Sequence, residues 1–213
     1  MLSSICRMVL LGGACMATGL LSWSQQTGGK AAFPPQSMDV GVTLAFERAY
    51  IAPGNCDCFW FKGGGTDLSL PIWKGLGFAV ALSGDHSSNV TPGIDVNKIS
   101  YLFGPRYTFL PSALNQHFEP LHRTQAFGEA LFGAVHAFNG SFPTAMGLTA
   151  SADSFAMQLG GGIQIPLARG FSVRLVEADY VRTSLPNNIS NVQNDLRLGF
   201  GLSYHLSSLP HRR

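Results

Sequence analysis

In the stretch DLRLGFGLSYHL, residues 195–206, every second residue is large and apolar: Leu196, Leu198, Phe200, Leu202, Tyr204 and Leu206. The positions between them hold Asp195, Arg197, Gly199, Gly201, Ser203 and His205. A period of two belongs to a β-strand, whose successive side chains point to opposite faces. A strand with one face apolar for twelve residues and the other small, polar and charged has to present those faces to two different media.

The same alternation marks eight candidate strands, at about 39–48, 65–73, 76–85, 97–109, 123–136, 154–167, 170–183 and 195–206. Each is close to or above the ~9–11 residues that a tilted membrane-crossing strand needs. Trp73-Lys74-Gly75 and Ala168-Arg169-Gly170 read as tight turns, whereas 49–64, 86–96, 137–153 and 184–194 read as long loops. Long connections after strands one, three, five and seven, with tight ones after two and six, are the pattern of an up-and-down barrel. The stretch 110–122, which follows strand four, departs from it by its length. The expected fold is therefore all-β, an eight-stranded antiparallel up-and-down transmembrane β-barrel.

Composition decides which medium the apolar face meets. Only 12% of the 213 residues are charged, about half the usual ~25%, and 46% are hydrophobic. In the third strand Leu76, Phe78, Val80 and Leu82 alternate with Gly77, Ala79, Ala81 and Ser83. In the fourth, Ile99, Tyr101, Phe103, Tyr107 and Phe109 alternate with Ser100, Gly104, Arg106 and Thr108. Turned inward, the large residues would overfill so small a barrel and leave a water-facing exterior of Gly, Ala and Ser; lipid outside resolves both problems. Beyond the N-terminus no apolar run approaches the ~20 residues of a membrane helix. The net charge of +2 is scattered, which gives no footprint for nucleic acid.

Residues 1–24 read as a secretory signal: one early charge at Arg7, an uncharged stretch from Met8 to Leu21, then Ser22-Trp23-Ser24. A buried N-terminal helix and a lipoprotein signal ending at Cys15 are the alternatives. A short periplasmic lead-in (25–38), the barrel (39–206) and a periplasmic tail (207–213) follow. With Cys6 and Cys15 in the signal, Cys56 and Cys58 remain, in APGNCDCFWFKGGG. Export favours a disulfide between them if residues two apart can close one. A lone C-x-C is a weaker metal site, because structural zinc wants four ligands. No cofactor or metal is expected, and the GGG runs at 63–65 and 160–162 do not open a helix as a phosphate cradle does.

An eight-stranded barrel is just wide enough for its own side chains to fill it. Asp67, Arg106, Glu129, Arg174, Asp179 and Arg197 are the candidate inward charges, expected to pair across the lumen as a polar plug rather than to line an ion path. Two strands conflict with simple alternation. In FSVRLVEADYVR, an unbroken register from Phe171 puts Glu177 and Asp179 in lipid, so a β-bulge near Leu175-Val176 is expected to turn both inward. In TQAFGEALFGAVH, Glu129 inside forces Phe127 and Leu131 inside with it. Trp73 at one end and Phe59, Trp60 and Phe61 at the other are candidate interfacial aromatics, with ordinary core packing as the alternative.

YLFGPRYTF (101–109), FGEALFG (127–133), FAMQLGGGIQIPL (155–167), FSVRLVEADYVRT (171–183) and NDLRLGFGLSYHL (194–206) together resemble the outer-membrane β-barrel domain family, the small OmpA/OmpX-type barrels of Gram-negative bacteria. CDCFW before the glycine run is similar to acidobacterial envelope proteins of this kind. The resemblance implies a monomer in the outer membrane, surrounded by lipid and lipopolysaccharide, with no nucleic acid partner. It also implies that the barrel-assembly machinery reads the last strand, through Arg197, Gly199, Leu202 and Tyr204, although SSLPHRR follows where such chains commonly end on an aromatic residue. No room for a peptidoglycan-binding domain is expected after that strand. The implied role is non-catalytic, structural or surface-interacting through the outer loops. The alternatives are a narrow pore and a lipid-modifying enzyme around His86, where His86-Ser87-Ser88 with Asp95 is similar to the trio of lipid A deacylases.

Overall fold

The computed structural model describes residues 38–50, 58–91, 94–111, 124–167 and 169–206. The expected signal peptide, most of the lead-in, the tail and Cys56 lie outside the described residues. The chain forms β1 (Met38–Tyr50), β2 (Cys58–Trp73), β3 (Leu76–Thr91), β4 (Ile94–Phe109), β5 (Gln125–Thr144), β6 (Gly147–Pro166), β7 (Phe171–Thr183) and β8 (Gln193–Leu206). Neighbours pair antiparallel in chain order and β1 pairs β8, from Met38 opposite Leu206 to Arg48 opposite Leu196, so the sheet closes on itself. Closure removes the two edges that an open sheet would expose.

Turn chemistry fixes one end, here the terminal end, where β1 begins and β8 finishes. Lys74 and Gly75 (φ 42° and 86°) connect β2 to β3, and Arg169 and Gly170 (φ 57° and 84°) lie between β6 and β7. Successive left-handed residues match the twist of the flanking strands, and glycine takes the second place without steric strain.

Outward positions carry a continuous apolar belt. Val42, Leu44, Phe78, Val80, Leu82, Phe103, Phe155, Leu198, Phe200 and Leu202 are all exposed. Among the described residues no helix is long and apolar enough to cross a membrane. Trp73, Tyr107, Phe109, Phe171 and Tyr204 are exposed toward the terminal end, with the Phe171 and Tyr204 rings 4.8 Å apart.

The bulge in β7 is present. Ile163 faces Val176 and Gln164 faces Arg174, so Leu175 is the extra residue. Leu175 and Val176 both face out, and Glu177 and Asp179 are buried inside. One inserted residue thus shifts the parity and keeps both carboxylates off the outer surface. In β5, Phe127, Glu129 and Leu131 all point inward, where Leu131 packs with Leu102, Val135, Ala79 and Ala156 in a small apolar knot.

The expected long loops need correction. β3 runs to Thr91 and β4 starts at Ile94, so 86–96 is mostly strand; β5 and β6 likewise absorb 137–153 up to the turn at 145–146, and β2 absorbs 58–64. Among the described residues 184–192 is the one expected loop that stays a loop over most of its length; 51–57 lie outside them. The reason is a reversal of polarity near the distal end. There the outward positions hold Lys62, His86, Asn97, His136, Asp153 and Arg182, and the inward ones hold Phe61, Val96 and Ala137. His86 lies 2.8 Å from Asn97 and His136 lies 2.7 Å from Asp153 across the outer face. A strand that is polar outside lacks the lipid-facing signature and reads as a loop. The expected aromatic cluster is corrected in the same way: Trp60 faces out, whereas Phe59 and Phe61 are stacked edge-to-face on the inner side, 5.1 Å apart.

A belt that meets hydrocarbon makes a clear demand on substitution. Phe103→Arg, in the middle of the belt, should destabilise the refolded protein by about 2–4 kcal/mol in urea titrations in lipid vesicles, whereas His86→Arg, beyond the belt, should be nearly silent.

Candidate functional site

Strand parity places the charged side chains. Asp67, Arg106, Glu129, Arg174, Asp179 and Arg197 are all at most 7% exposed, inside the barrel. Arg106 faces Glu129 directly across the β4–β5 ladder, and its Nη2 lies 2.6 Å from Glu129 Oε2. Arg106 Nη1 donates to Asp67 Oδ2 at 2.6 Å, and Arg174 Nη1 donates to Asp67 Oδ1 at 2.9 Å. Arg174 Nη1 also reaches Glu177 Oε2 (2.5 Å) and Thr43 Oγ1 (2.9 Å). Gln158 carries the network onward, donating to Glu129 at 3.2 Å and accepting from Arg197 at 3.5 Å. Contributions come from β1, β2, β4, β5, β6, β7 and β8, so one polar network ties the walls together. The Arg106 and Arg174 guanidiniums lie over the face of Phe127, 4.7 and 5.0 Å from its centre, which explains why an aromatic ring points into a polar lumen.

Glycines make room for the charged heads. A Cβ at Gly41 would fall 2.8 Å from Arg174 Nη2 and closer still to the Asp67 carboxylate. The GGG run in β6 acts similarly, since a Cβ at Gly160 would meet Asp179. The free volume left beside Asp67, Arg106, Glu129 and Arg197 is about 20 Å³, room for about one water.

A second charged layer lies toward the distal end. Lys98 bonds Glu47, and Asp85 faces Lys98 across the β3–β4 ladder. With Asp195, these groups bring the buried described residues to seven carboxylates (Glu47, Asp67, Asp85, Glu129, Glu177, Asp179, Asp195) against four cations (Lys98, Arg106, Arg174, Arg197). Glu129, Glu177 and Asp179 come within 4.8 Å of one another, but two of the three already hold a guanidinium. Glu47, Lys98 and Asp85 are inward charges beyond those expected, although extending the parity of Phe46 and Ile99 by one residue finds Glu47 and Lys98; Asp195, on the polar face of β8 from the start, joins them.

Near the terminal end Ser172 Oγ lies 2.6 Å from His205 Nε2, and His205 Nδ1 bonds Asp39. The order of atoms is that of a nucleophile, base and orienting acid. Ser172 is fully buried, however, in a strand between two paired neighbours, so no ester has a route to its hydroxyl. The relay joins β7, β8 and β1 across the closing seam, and it acts as a latch. No local spacing announces it, since Asp39 and His205 are 166 residues apart.

His86 faces out and Ser87 is buried on the opposite face, as adjacent strand residues must be. That geometry keeps Ser87 out of reach of the imidazole, which is engaged by Asn97, whereas Ser88 and Asp95 are exposed on the same outer face as His86. Arg48 Nη2 donates to Cys58 Sγ at 3.3 Å; the expected partner of Cys58 lies outside the described residues. In the last strand Arg197 and Gly199 face inward, while Leu202 and Tyr204 stand on the belt.

No protein-family model and no curated protein sequence matches the chain. Solved structures do. Neisserial surface protein A aligns over 78% of this chain and 96% of its own, at TM-score 0.56 and 16% identity. The fold is that of a small eight-stranded outer-membrane β-barrel. The attachment invasion locus protein Ail of Yersinia pestis (79% and 97% covered, TM-score 0.43, 16% identity) and the N-terminal barrel domain of Pseudomonas aeruginosa OprF (79% and 97%, 0.42, 11%) are also similar.

Two substitutions separate the roles within the barrel. Asp67→Ala leaves two buried guanidiniums short of a partner and should lower stability by about 3–5 kcal/mol, measured by urea unfolding in vesicles. Gly41→Val, which displaces the same charges by volume alone, should slow or prevent refolding, read as loss of the compact band on an unboiled gel.

Proposed function

We propose that the chain is a monomeric, non-catalytic integral protein of the bacterial outer membrane, whose role is structural or surface-interacting and is exercised at its distal, extracellular end. The observation that carries the reading is the double polarity of the wall: apolar outside and ion-paired inside through the belt, then reversed beyond it. Only a lipid layer with water above it asks for that pattern. The terminal end, with its tight turns, belongs on the periplasmic side.

The plug speaks for a scaffold rather than a pore. A lumen bridged by Arg106, Arg174 and Arg197, with room for about one water beside Arg106 and Arg197, supports a filled scaffold over a narrow pore. The likeness to Neisserial surface protein A is a likeness of fold and lends support to the architecture alone. In this reading residues 1–24 direct export and are removed, the barrel-assembly machinery recognises β8 through Arg197, Gly199, Leu202 and Tyr204, and the tail 207–213 stays in the periplasm. A Cys56–Cys58 bridge would stiffen the connection between β1 and β2. Outer-membrane lipid and lipopolysaccharide are the surroundings of the belt.

Refolding of the mature chain (25–213) into phosphatidylcholine vesicles, followed by gel migration with and without boiling, tests the reading. The expected result is a faster unboiled band with a β-rich circular dichroism spectrum that collapses on boiling, and no conductance in planar bilayers. Folding in water without lipid or detergent would sink the membrane assignment, and steady ion current would sink the plug.

A further inference from the structure

Above the Lys98–Glu47 layer the distal end of the barrel opens into a cup of about 340 Å³, against about 20 Å³ beside the central ion pairs. This volume falls within the ~300–1,000 Å³ of small-molecule sites. Phe59, Phe61, Val96, Phe142 and Leu185 supply its walls, with residues from all eight strands around them. At this height the outer surface is polar, so the cup is an apolar hollow beside water, an arrangement that favours an apolar occupant.

The floor argues against an ion of either sign. Among the described residues lining the cup, Lys98 and Asp195 carry the charges. Lys98 bonds Glu47, and Arg197 faces Glu47 from β8. Lys98 and Arg197 both act on Asp85, and Asp195 is engaged in turn. With these groups already serving one another, an ammonium or carboxylate would leave its water for phenylalanine walls and gain no counterion.

The rim supplies a different partner. Asn187 lines the cup, and its Oδ1 accepts the backbone N–H groups of Ile189, Ser190 and Asn191 at 3.0, 3.1 and 2.8 Å. Three donors on one side of the amide identify that side as oxygen and leave the nitrogen on the other. Asn187 Nδ2 is buried and finds no acceptor among the described residues. Gln193 anchors the same loop, accepting from Leu185 N at 3.0 Å and donating to Leu185 O at 2.9 Å. A buried amide donor without an acceptor is costly, and an oxygen brought by a ligand would relieve it.

We propose that the distal cup binds a small neutral amphiphile that carries a carbonyl oxygen, its alkyl body against the phenylalanine walls and its oxygen on the Asn187 amide. The inference rests on the membrane reading above, because that reading puts the cup on the water side of the outer surface.

Photolabelling in phosphatidylcholine nanodiscs tests it, with 2-octanone bearing a diazirine at the far end of its chain and mass spectrometry to locate the adducts. Adducts on cup residues should saturate and be displaced by unlabelled 2-octanone, whereas probe dissolved in lipid labels the belt without saturating. Octanoate and octylammonium at neutral pH should compete at least about tenfold more weakly than 2-octanone. Asn187→Asp keeps the oxygen that holds the loop and removes the donor; it should weaken 2-octanone about fivefold and leave competition by 1-chlorooctane, which has no carbonyl, unchanged. Val96→Trp, which fills the hollow, should abolish saturable labelling. Labelling confined to the belt, either ion competing as well as 2-octanone, or 2-octanone unaffected by Asn187→Asp overturns the proposal. Should Asn187→Asp not refold, the position of the adducts and the order of the competitors on the unaltered protein decide. A chain that never enters the nanodisc, judged by its heat-modifiable migration, fails the membrane reading instead.

Discussion

The hydrogen-bond ladder between β1 and β8 is the constraint from which the rest follows. In hydrocarbon an unpaired backbone amide or carbonyl is too costly to expose, so a membrane-crossing sheet has to end where it began. Closure with eight strands leaves an interior that side chains fill. Strict alternation then sends half of each strand into that interior, and because the other half belongs to lipid, the inner half receives the polar residues. Charges sealed in a lumen need partners, and Asp67 held between Arg106 and Arg174 is the result. The Ser172–His205–Asp39 latch fastens the same seam from inside.

Architecture was legible in the sequence wherever lipid imposed a single rule. The eight strands, the parity of β3, β4 and β8, and the need for a bulge at Leu175-Val176 all follow from keeping charge off an apolar face. The strand extensions were not legible, because 58–64, 86–91 and 137–144 obey the opposite rule beyond the belt. His86, Asn97 and His136 on the outside look like loop residues to a reader expecting apolar ones there. Asp39 and His205 lie at opposite ends of the barrel sequence, and only closure brings them together. Phe127 was ambiguous for a related reason: an aromatic residue inside a polar lumen makes sense only once two guanidiniums are stacked on it.

The reversal of polarity also explains how one wall serves two surroundings. Through the belt the protein behaves like an inverted soluble barrel, with Phe103 and Phe200 outside and Arg106 and Glu129 within. Past Lys98 it resembles an ordinary one, with Phe61 and Phe142 within and Asp153 and Arg182 outside. The same β-ladder runs through both regimes, so among the described residues strand carries much of the exposed end.

The buried charges also set how the lumen is filled along its length. Below Lys98 and its carboxylates the apolar knot around Leu131 and the guanidinium network fill the lumen. Relaxing that network to admit a solute would strip Arg106, Arg174 or Arg197 of partners inside a low-dielectric wall, at a penalty of several kcal/mol for each ion. The stability of the barrel and the filling of its lumen are therefore two consequences of the same buried charges.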